Sequence, residues 1–328
     1  MRVAIIILNW NGEALLRRFL PAVVNNSPEA TIHVIDNNSS DGSMRYITEN
    51  FSEVNQILLN QNHGYARGYN EGLKEIDADL VCLLNNDIKV QSGWMPPVID
   101  HFIKNENTVI AQPHLMDLNN PNKFEYAGAA GGYIDRLGYP YCRGRIFKEL
   151  EEDDGQFDTD KKIFWASGAC FFIRLQEFRS LGGFDTNFFA HQEEIDLCWR
   201  AFNEGFEIMS ISTSKVYHLG GGTLRPSYRK NFLNFRNSLF LLYKNLPEKV
   251  FFRIFERMIW DGVAVFYFLI KLEFRSAVAV LHAHFSFYFH LFTKKIIRKK
   301  NVKKNKYFKL KSLPIQHFIN NKSKFLQL

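Results

Sequence analysis

The sequence predicts an α/β fold with a mostly parallel central sheet, and three observations predict it. Short runs rich in β-branched residues alternate with helical patterns from the N-terminus to about residue 104. The segments that close those runs are dense in Asn, Asp, Ser and Gly. Of the 328 residues, 46% are hydrophobic, enough to bury one substantial core and a smaller appendage.

The first strand is expected over residues 3–8, a continuous apolar run. It is too short for the apolar stretch of a signal peptide and is followed by Asn9, Asn11 and Gly12 instead of a small-residue cleavage site, so it reads as a buried strand. A helix over 13–24 follows. The pattern then repeats as strand 31–35 and helix 41–50, strand 56–59 and helix 65–74, and strand 80–84 and helix 94–104. Farther on, the sequence reads as strand 169–173, a helix start at 175–180, a Gly182-Gly183 turn, an acidic helix over 193–204, strand 207–211, a strand-like 215–217 and a Gly-rich loop. No internal repeat is present. After about Pro226 the character changes to Phe- and Tyr-rich helix, ending in a basic tail.

In an open sheet of this kind the ligand sits beyond the carboxyl ends of the strands. The polar groups expected there are Asn9-Trp10-Asn11-Gly12, Asp36-Asn37-Asn38-Ser39-Ser40-Asp41-Gly42-Ser43, Asn60-Gln61-Asn62-His63-Gly64 and Asn85-Asn86-Asp87. Each alone is an ordinary turn or helix cap; four in succession point to a ligand. No G-x-G-x-x-G occurs, and no Gly-Lys pair from which to build a P-loop, which weighs against dinucleotide dehydrogenases and P-loop NTPases. The cysteines Cys82, Cys142, Cys170 and Cys198 form no C-x-x-C pair, so neither a zinc site nor a disulfide framework is expected, and a reducing cytoplasm fits.

Net charge is +7, yet residues 294–328 carry twelve Lys/Arg and no acid, so the rest of the chain is mildly acidic. Such a tail points to an anionic membrane surface in preference to nucleic acid, with a solvated disordered end as the competing reading. The charge-free run 276–293 approaches the ~20 apolar residues of a spanning helix but contains His282, His284 and His290, so spanning is not expected. Val250, Phe251, Ile254, Phe255, Met258 and Ile259 recur at helical spacing beside Arg253, Glu256 and Arg257. An interfacial helix shows that stripe, and so does a helix packed on protein.

Taken in order, Asn9-Trp10-Asn11-Gly12, Asp36 to Ser43, Asn62-His63-Gly64-Tyr65-Ala66-Arg67-Gly68-Tyr69-Asn70-Glu71-Gly72 and Asn85-Asn86-Asp87 resemble family 2 glycosyltransferases, particularly the rhamnosyltransferase-like branch. Gly182-Gly183-Phe184-Asp185, then Glu193-Glu194-Ile195-Asp196-Leu197-Cys198-Trp199-Arg200, and finally Val216-Tyr217-His218 continue the series. The resemblance covers about residues 1–223, with 224–328 as a helical, membrane-associating extension. It implies a GT-A fold, a nucleotide-diphosphate sugar donor and Mg²⁺ or Mn²⁺. It matches Asp36 to the position that reads the donor's base, and Asn9, Asn38, Arg67 and Asn86 to the nucleotide pocket. Asp87 matches the last acid of the family's DxD motif; Asn85 stands where the strict motif has an acid. His218 resembles the distal metal ligand.

The chemistry expected of such residues is independent of the family. A hard cation that bridges diphosphate oxygens stabilises the charge built up as the leaving group departs, and one carboxylate suffices when phosphate and water fill the other positions. Inverting transfer also needs a base opposite the leaving group. The adjacent carboxylates of Glu193 and Glu194 repel, which raises one of them toward a base-like pKa. Glu194 stands where the family usually has Asp, with Glu193 as the alternative; acids in a first helical turn also simply favour the helix dipole. Asp196 and Arg200 read as an i, i+4 ion pair. Trp165 and Gly168 match the acceptor-side segment, although Trp165 also suits a core, and the charged stretch 148–162 is expected as a surface loop near the acceptor. His63, Tyr65 and Tyr69 remain open between donor contact and packing. The function expected is inverting transfer of a sugar from a UDP- or dTDP-sugar to a glycan or lipid-linked glycan hydroxyl, at the inner face of the membrane. Nucleotidyl transfer and a non-catalytic sugar-nucleotide-binding role are the alternatives.

Overall fold

A computed structural model describes residues 1–220, 227–298 and 306–328. The alternating first half folds as β1 (Val3–Asn9), α1 (Glu13–Asn25), β2 (Ala30–Asp36), α2 (Ser43–Asn50), β3 (Asn55–Leu58), α3 (Gly64–Gly72), β4 (Leu80–Asn85), β5 (Ile88–Lys89), α4 (Pro96–Lys104) and β6 (Thr108–Asp117). A small antiparallel sheet follows, β7 (Gly132–Ile134), β8 (Pro140–Cys142), β9 (Arg145–Ile146) and β10 (Glu149–Leu150), then β11 (Lys161–Lys162), β12 (Cys170–Arg174), α5 (Leu175–Ser180), α6 (Glu193–Glu204) and β13 (Glu207–His218). The extension comprises α7 (Tyr228–Asn245), α8 (Val250–Ile270) and α9 (Phe274–Phe292).

The main sheet runs β11-β13-β6-β12-β4-β1-β2-β3, with β5 added to β13. β1 pairs in parallel with β2 and β4, β2 with β3, and β6 with β13. β12 is antiparallel to both β4 and β6, so it joins two parallel blocks. Strands buried on both faces need apolar residues at every position. β1 and β4 satisfy this: Ile5, Ile7 and Leu84 pack with Leu16, Leu20 and Trp94 on one face, while Ala4, Ile6 and Leu83 pack with Tyr69, Leu73 and Phe184 on the other. Helix α3 lies so close to β2 that a Cβ on Gly72 would stand 2.1 Å from Ile35 Cδ1.

Two expectations change. The strands foreseen at 207–211 and 215–217 are one strand, β13, interrupted by a register shift between Ile211 and Lys215. The charged stretch 148–162 lies mostly at the surface, as expected, but is not wholly loop: it holds β10 and β11 and buries Phe157.

The extension is packed onto the α/β body. Lys244 of α7 bonds Asp185 (2.5 Å) and Asp196 (2.9 Å), and Phe240 packs edge-on against Phe188. In α8, Arg257 reaches Asp261 (2.8 Å) and Leu137 O (3.0 Å), while His284 of α9 reaches Asp261 (3.1 Å). Residues 306–328 are not a solvated tail. Tyr307 packs at a tilt against Trp199, Leu313 is buried with its N–H on Asp135, and Phe325 packs against Tyr133 and Phe157. Among the described residues no helix is long and apolar enough to cross a membrane.

Candidate active site

Pairing of β1 with β2 sets Asn9 opposite Asp36, and pairing with β4 sets Leu8 opposite Asn85, so the polar strand ends start from one edge of the sheet. Hydrogen bonds tie them together. Asp36 Oδ2 accepts from Ser39 N (3.0 Å), Ser39 Oγ accepts from Asn9 Nδ2 (3.3 Å), and Asn9 Oδ1 accepts from Asn86 Nδ2 (3.1 Å). Asp36 Oδ1 is buried without a partner, an acceptor with unused capacity. Asn38 is exposed at φ 63°, and Arg67 is exposed on α3, 3.8 Å from Glu71.

Asp87 follows β4 at the same edge. The pairing of Ile88 with His218 brings the imidazole to the carboxylate: His218 Nε2 lies 3.1 Å from Asp87 Oδ1, and Leu219 N donates to Asp87 O at 3.0 Å. On its other side, His218 Nδ1 lies 3.2 Å from Glu125 Oε1. Burial opposes the imidazolium, but Asp87 and Glu125 outweigh it and raise its pKa to about 10. Among the described residues no three His, Cys, Asp or Glu side chains form a complete cage for an ion. As it stands the Asp87–His218 contact is an ion pair; with the Nε2 proton displaced, the same carboxylate oxygen and imidazole nitrogen would fit a divalent cation, with diphosphate and water completing the shell. Glu125 lies beyond the imidazole within ion-pair reach of Nδ1, which makes no aligned hydrogen bond.

The carboxylate pair opens α6. Glu193 is buried with Oε2 unpartnered, and burial followed by repulsion from Glu194 raises its pKa well above the ordinary range. Glu194 is half-buried; burial raises it to about 7 against the pull of backbone N–H groups at Gln192, Glu194 and Ile195. The turn before it is strained. Phe189, His191 and Gln192 all have positive φ (65°, 68° and 72°), and Ala190 N donates to Phe188 O at 2.8 Å across a γ-turn of the rare sense.

Two cavities flank this turn. One of about 610 Å³ is lined by Trp10, Asn37, Tyr65, His191 and Lys230. The other, about 340 Å³, contains Glu194 with Tyr126, Ala127, Trp165 and Arg145, and shares His191 and Lys230 with the first. The segment from Glu125 to Ala127 therefore runs from the Asp87–His218 pair to the wall of the Glu194 cavity. Trp165 contributes one buried edge there; its indole N–H donates to Tyr133 O (2.9 Å) and its ring fills the space above Gly132. Gly168 O accepts from Tyr65 OH (2.8 Å), and a Cβ at Gly168 would lie 3.9 Å from Glu194 Cβ. Tyr69 is packed in the core, its OH 3.4 Å from Leu84 O.

Sequence reasoning missed Glu125, Asn37 and the contribution of α7. Asn37 bonds Asn62 (3.0 Å), Gly64 O (3.1 Å) and His63 N (2.8 Å), closing the loop that Asn38 only borders. Its place beside Asn38 in a polar run was the available signal; Glu125 had none, because its partner lies 93 residues away.

Residues 4–181 match the model of glycosyl transferase family 2. The low-salt glycan biosynthesis hexosyltransferase Agl10 of Haloferax volcanii is 24% identical over 259 residues, 77% of this chain and 78% of its own. N-acetylglucosaminyl-diphospho-decaprenol L-rhamnosyltransferase of Mycobacterium tuberculosis is 24% identical over 223 residues, covering 62% and 71%. The crystal structure of GalNAc-T7 with UDP, GalNAc and Mn²⁺ superposes with a TM-score of 0.60 at 16% identity, over 76% of this chain and about half (49%) of the longer one. These likenesses favour neither nucleotidyl transfer nor a non-catalytic role. With its GT-A architecture and ordered motifs, the chain belongs to glycosyl transferase family 2, in the rhamnosyltransferase-like branch, and is a glycosyltransferase of glycan synthesis.

Proposed function

We propose that the protein moves a sugar, with inversion, from a UDP- or dTDP-sugar to a hydroxyl of a glycan or lipid-linked glycan acceptor. The observation that carries this reading is the continuous run of contacts from Asp36 through Asn9 and Asn86 to Asp87, His218 and Glu125, ending at the cavity of Glu194. In this reading Asp36 accepts the N3–H of a uracil or thymine base, with Asn9, Asn38, Arg67 and Asn86 around the nucleotide. Asp87 and His218 hold Mg²⁺ or Mn²⁺, which when bound would offset the charge of the departing diphosphate. Trp165 and Gly168 border the acceptor.

Glu194 takes the proton of the acceptor hydroxyl as its oxygen attacks the anomeric carbon from the face opposite the diphosphate. It suits this work because it reaches the cavity and its pKa of about 7 leaves it ionised often enough and basic enough at neutral pH. Glu193, enclosed and shifted further, stays protonated at neutral pH and lines neither cavity, so it is the poorer proton acceptor of the two. The second domain, 224–328, holds the enzyme on an anionic membrane surface, which we place at the cytoplasmic face. Support comes from the exposed Phe266, Ile270, Phe285 and Phe292 of α8 and α9 and from the exposed cations Lys271, Arg275, Lys294 and Lys295 at the ends of these helices. No nucleic-acid partner is proposed.

The test is transfer itself. Full-length protein is incubated with UDP- and dTDP-sugars, Mg²⁺ or Mn²⁺ and a diphospho-lipid glycan, with nucleoside diphosphate release and product anomeric configuration read by NMR. An inverted product is expected; a retained configuration would refute the mechanism.

A further inference from the structure

We infer that Asn237, seated by Arg236, is a positioning residue that sets the place of the Glu194 carboxylate; this rests on the reading of Glu194 as the base. Three residues of positive φ within four, none of them glycine, do not hold their shape unaided, and three carbonyls of the turn, those of Phe188, Ala190 and His191, face α7. Those carbonyls converge on one amide. The two N–H groups of Asn237 Nδ2 serve three acceptors, Phe188 O (3.1 Å), Ala190 O (2.9 Å) and His191 O (2.7 Å), so that one of them is shared. Its Oδ1 accepts from Arg236 Nε (3.0 Å) and Nη2 (2.9 Å), which fixes the amide's orientation, and Arg236 Nη2 also donates to Phe188 O (3.0 Å) and Asn187 O (3.2 Å). Next to Asn237 and one turn before it, Ser238 Oγ and Asn234 O hold the Gln192 side chain at 3.1 and 3.3 Å.

Gln192 is the cap of α6, so this grip determines where the helix starts and hence where its first-turn acids point. Asn237 is fully buried and lines neither cavity; it acts only through the turn. A simple strut between α7 and the body is already supplied elsewhere, by Lys244 and Asn245 on Asp196. The Asn237 amide instead spends its donors on the strained backbone beside the acids.

Asn237→Asp preserves shape and the bond to Arg236 but removes the donors, and Asn237→Ala removes both. In full-length protein we expect UDP and dTDP affinity within twofold of wild type, kcat for transfer at least fivefold lower, and faster hydrogen exchange confined to residues 187–194. A kcat loss under fivefold in both variants overturns the proposal. So does a loss of nucleotide affinity in proportion to the loss of transfer, which a merely structural role would give. Glu194→Gln measured in parallel separates the two claims: wild-type transfer in that variant defeats the base assignment, while the exchange pattern still reports whether Asn237 holds the turn.

Discussion

Glu194 accepts a proton only when ionised, and burial holds its pKa near 7. Transfer should therefore rise with pH through the range around 7 and level off above it, and Glu194→Gln should lower kcat by about 10²–10⁴-fold with donor affinity unchanged. The same burial has a cost in stability. Between the ordinary carboxyl value of 4.5 and about 7 the folded protein binds more protons than the unfolded chain, so stability declines as pH rises through that window. Glu194→Gln should consequently melt higher than wild type at pH 8 and close to wild type at pH 5; an equal gap at both would contradict the shift. Asp87→Ala should abolish the cation-dependent part of UDP or dTDP binding, read by calorimetry with and without Mn²⁺. Asp87, Asp36 and the Glu193–Glu194 pair were legible because each belongs to a motif contiguous in sequence. Glu125 was not, because what marks it is a contact with His218 that exists only once β13 crosses the sheet.

Helix α6 shows how far an element could be read. Its i, i+4 pair is present, with Arg200 Nε 2.8 Å from Asp196, but Asp196 is fully buried and also accepts from Lys244 (2.9 Å) and Asn245 (2.9 Å). Burial alone would raise this carboxyl; Arg200 and Lys244 overcome it and bring it down to about 2. Its contribution is complete above the ordinary value of 3.8 and is lost as pH falls toward 2. Asp196→Ala would leave buried cations unpaired, and a loss of about 3–5 kcal/mol in urea unfolding is expected. Sequence periodicity exposed the helix but could not name partners 48 residues away on α7. Strand β6 escaped for a local reason: Gln112, Pro113 and His114 interrupt its apolar run although all its central positions are buried. The direction of β12 escaped as well, since an apolar run between two neighbours reads alike parallel or antiparallel.

At the scale of the molecule, the unsolved demand is the outer surface of the helical extension. In α8, Phe252, Phe255, Ile259, Val263, Phe266 and Ile270 are exposed at three- to four-residue spacing, and in α9 Phe274, Val278, Leu281, Phe285, Phe289 and Phe292 continue the habit. The opposite faces are occupied by Ile254, Arg257 and Asp261 and by Ala279, Ala283 and Phe287, so the stripes are not a failed core. Because Phe287 packs on Phe240 of α7, cutting the chain after Asn245 would uncover the body; substitution on the stripes is the cleaner probe. Phe266 and Phe285 are 70% and 75% exposed, so changing them should leave the melting temperature within a degree or two. Burying each phenyl ring in lipid contributes roughly 1.5–3 kcal/mol, so Phe266→Glu with Phe285→Glu should weaken binding to vesicles containing 30 mol% anionic lipid by about 100-fold or more. Raising salt from 0.1 to 0.5 M should weaken wild-type binding without abolishing it, because the cations at the helix ends are screened and the apolar stripes are not. Wild-type protein that stays free of such vesicles but forms dimers lost in the double variant would show that the stripes meet a second copy of the chain instead of a bilayer.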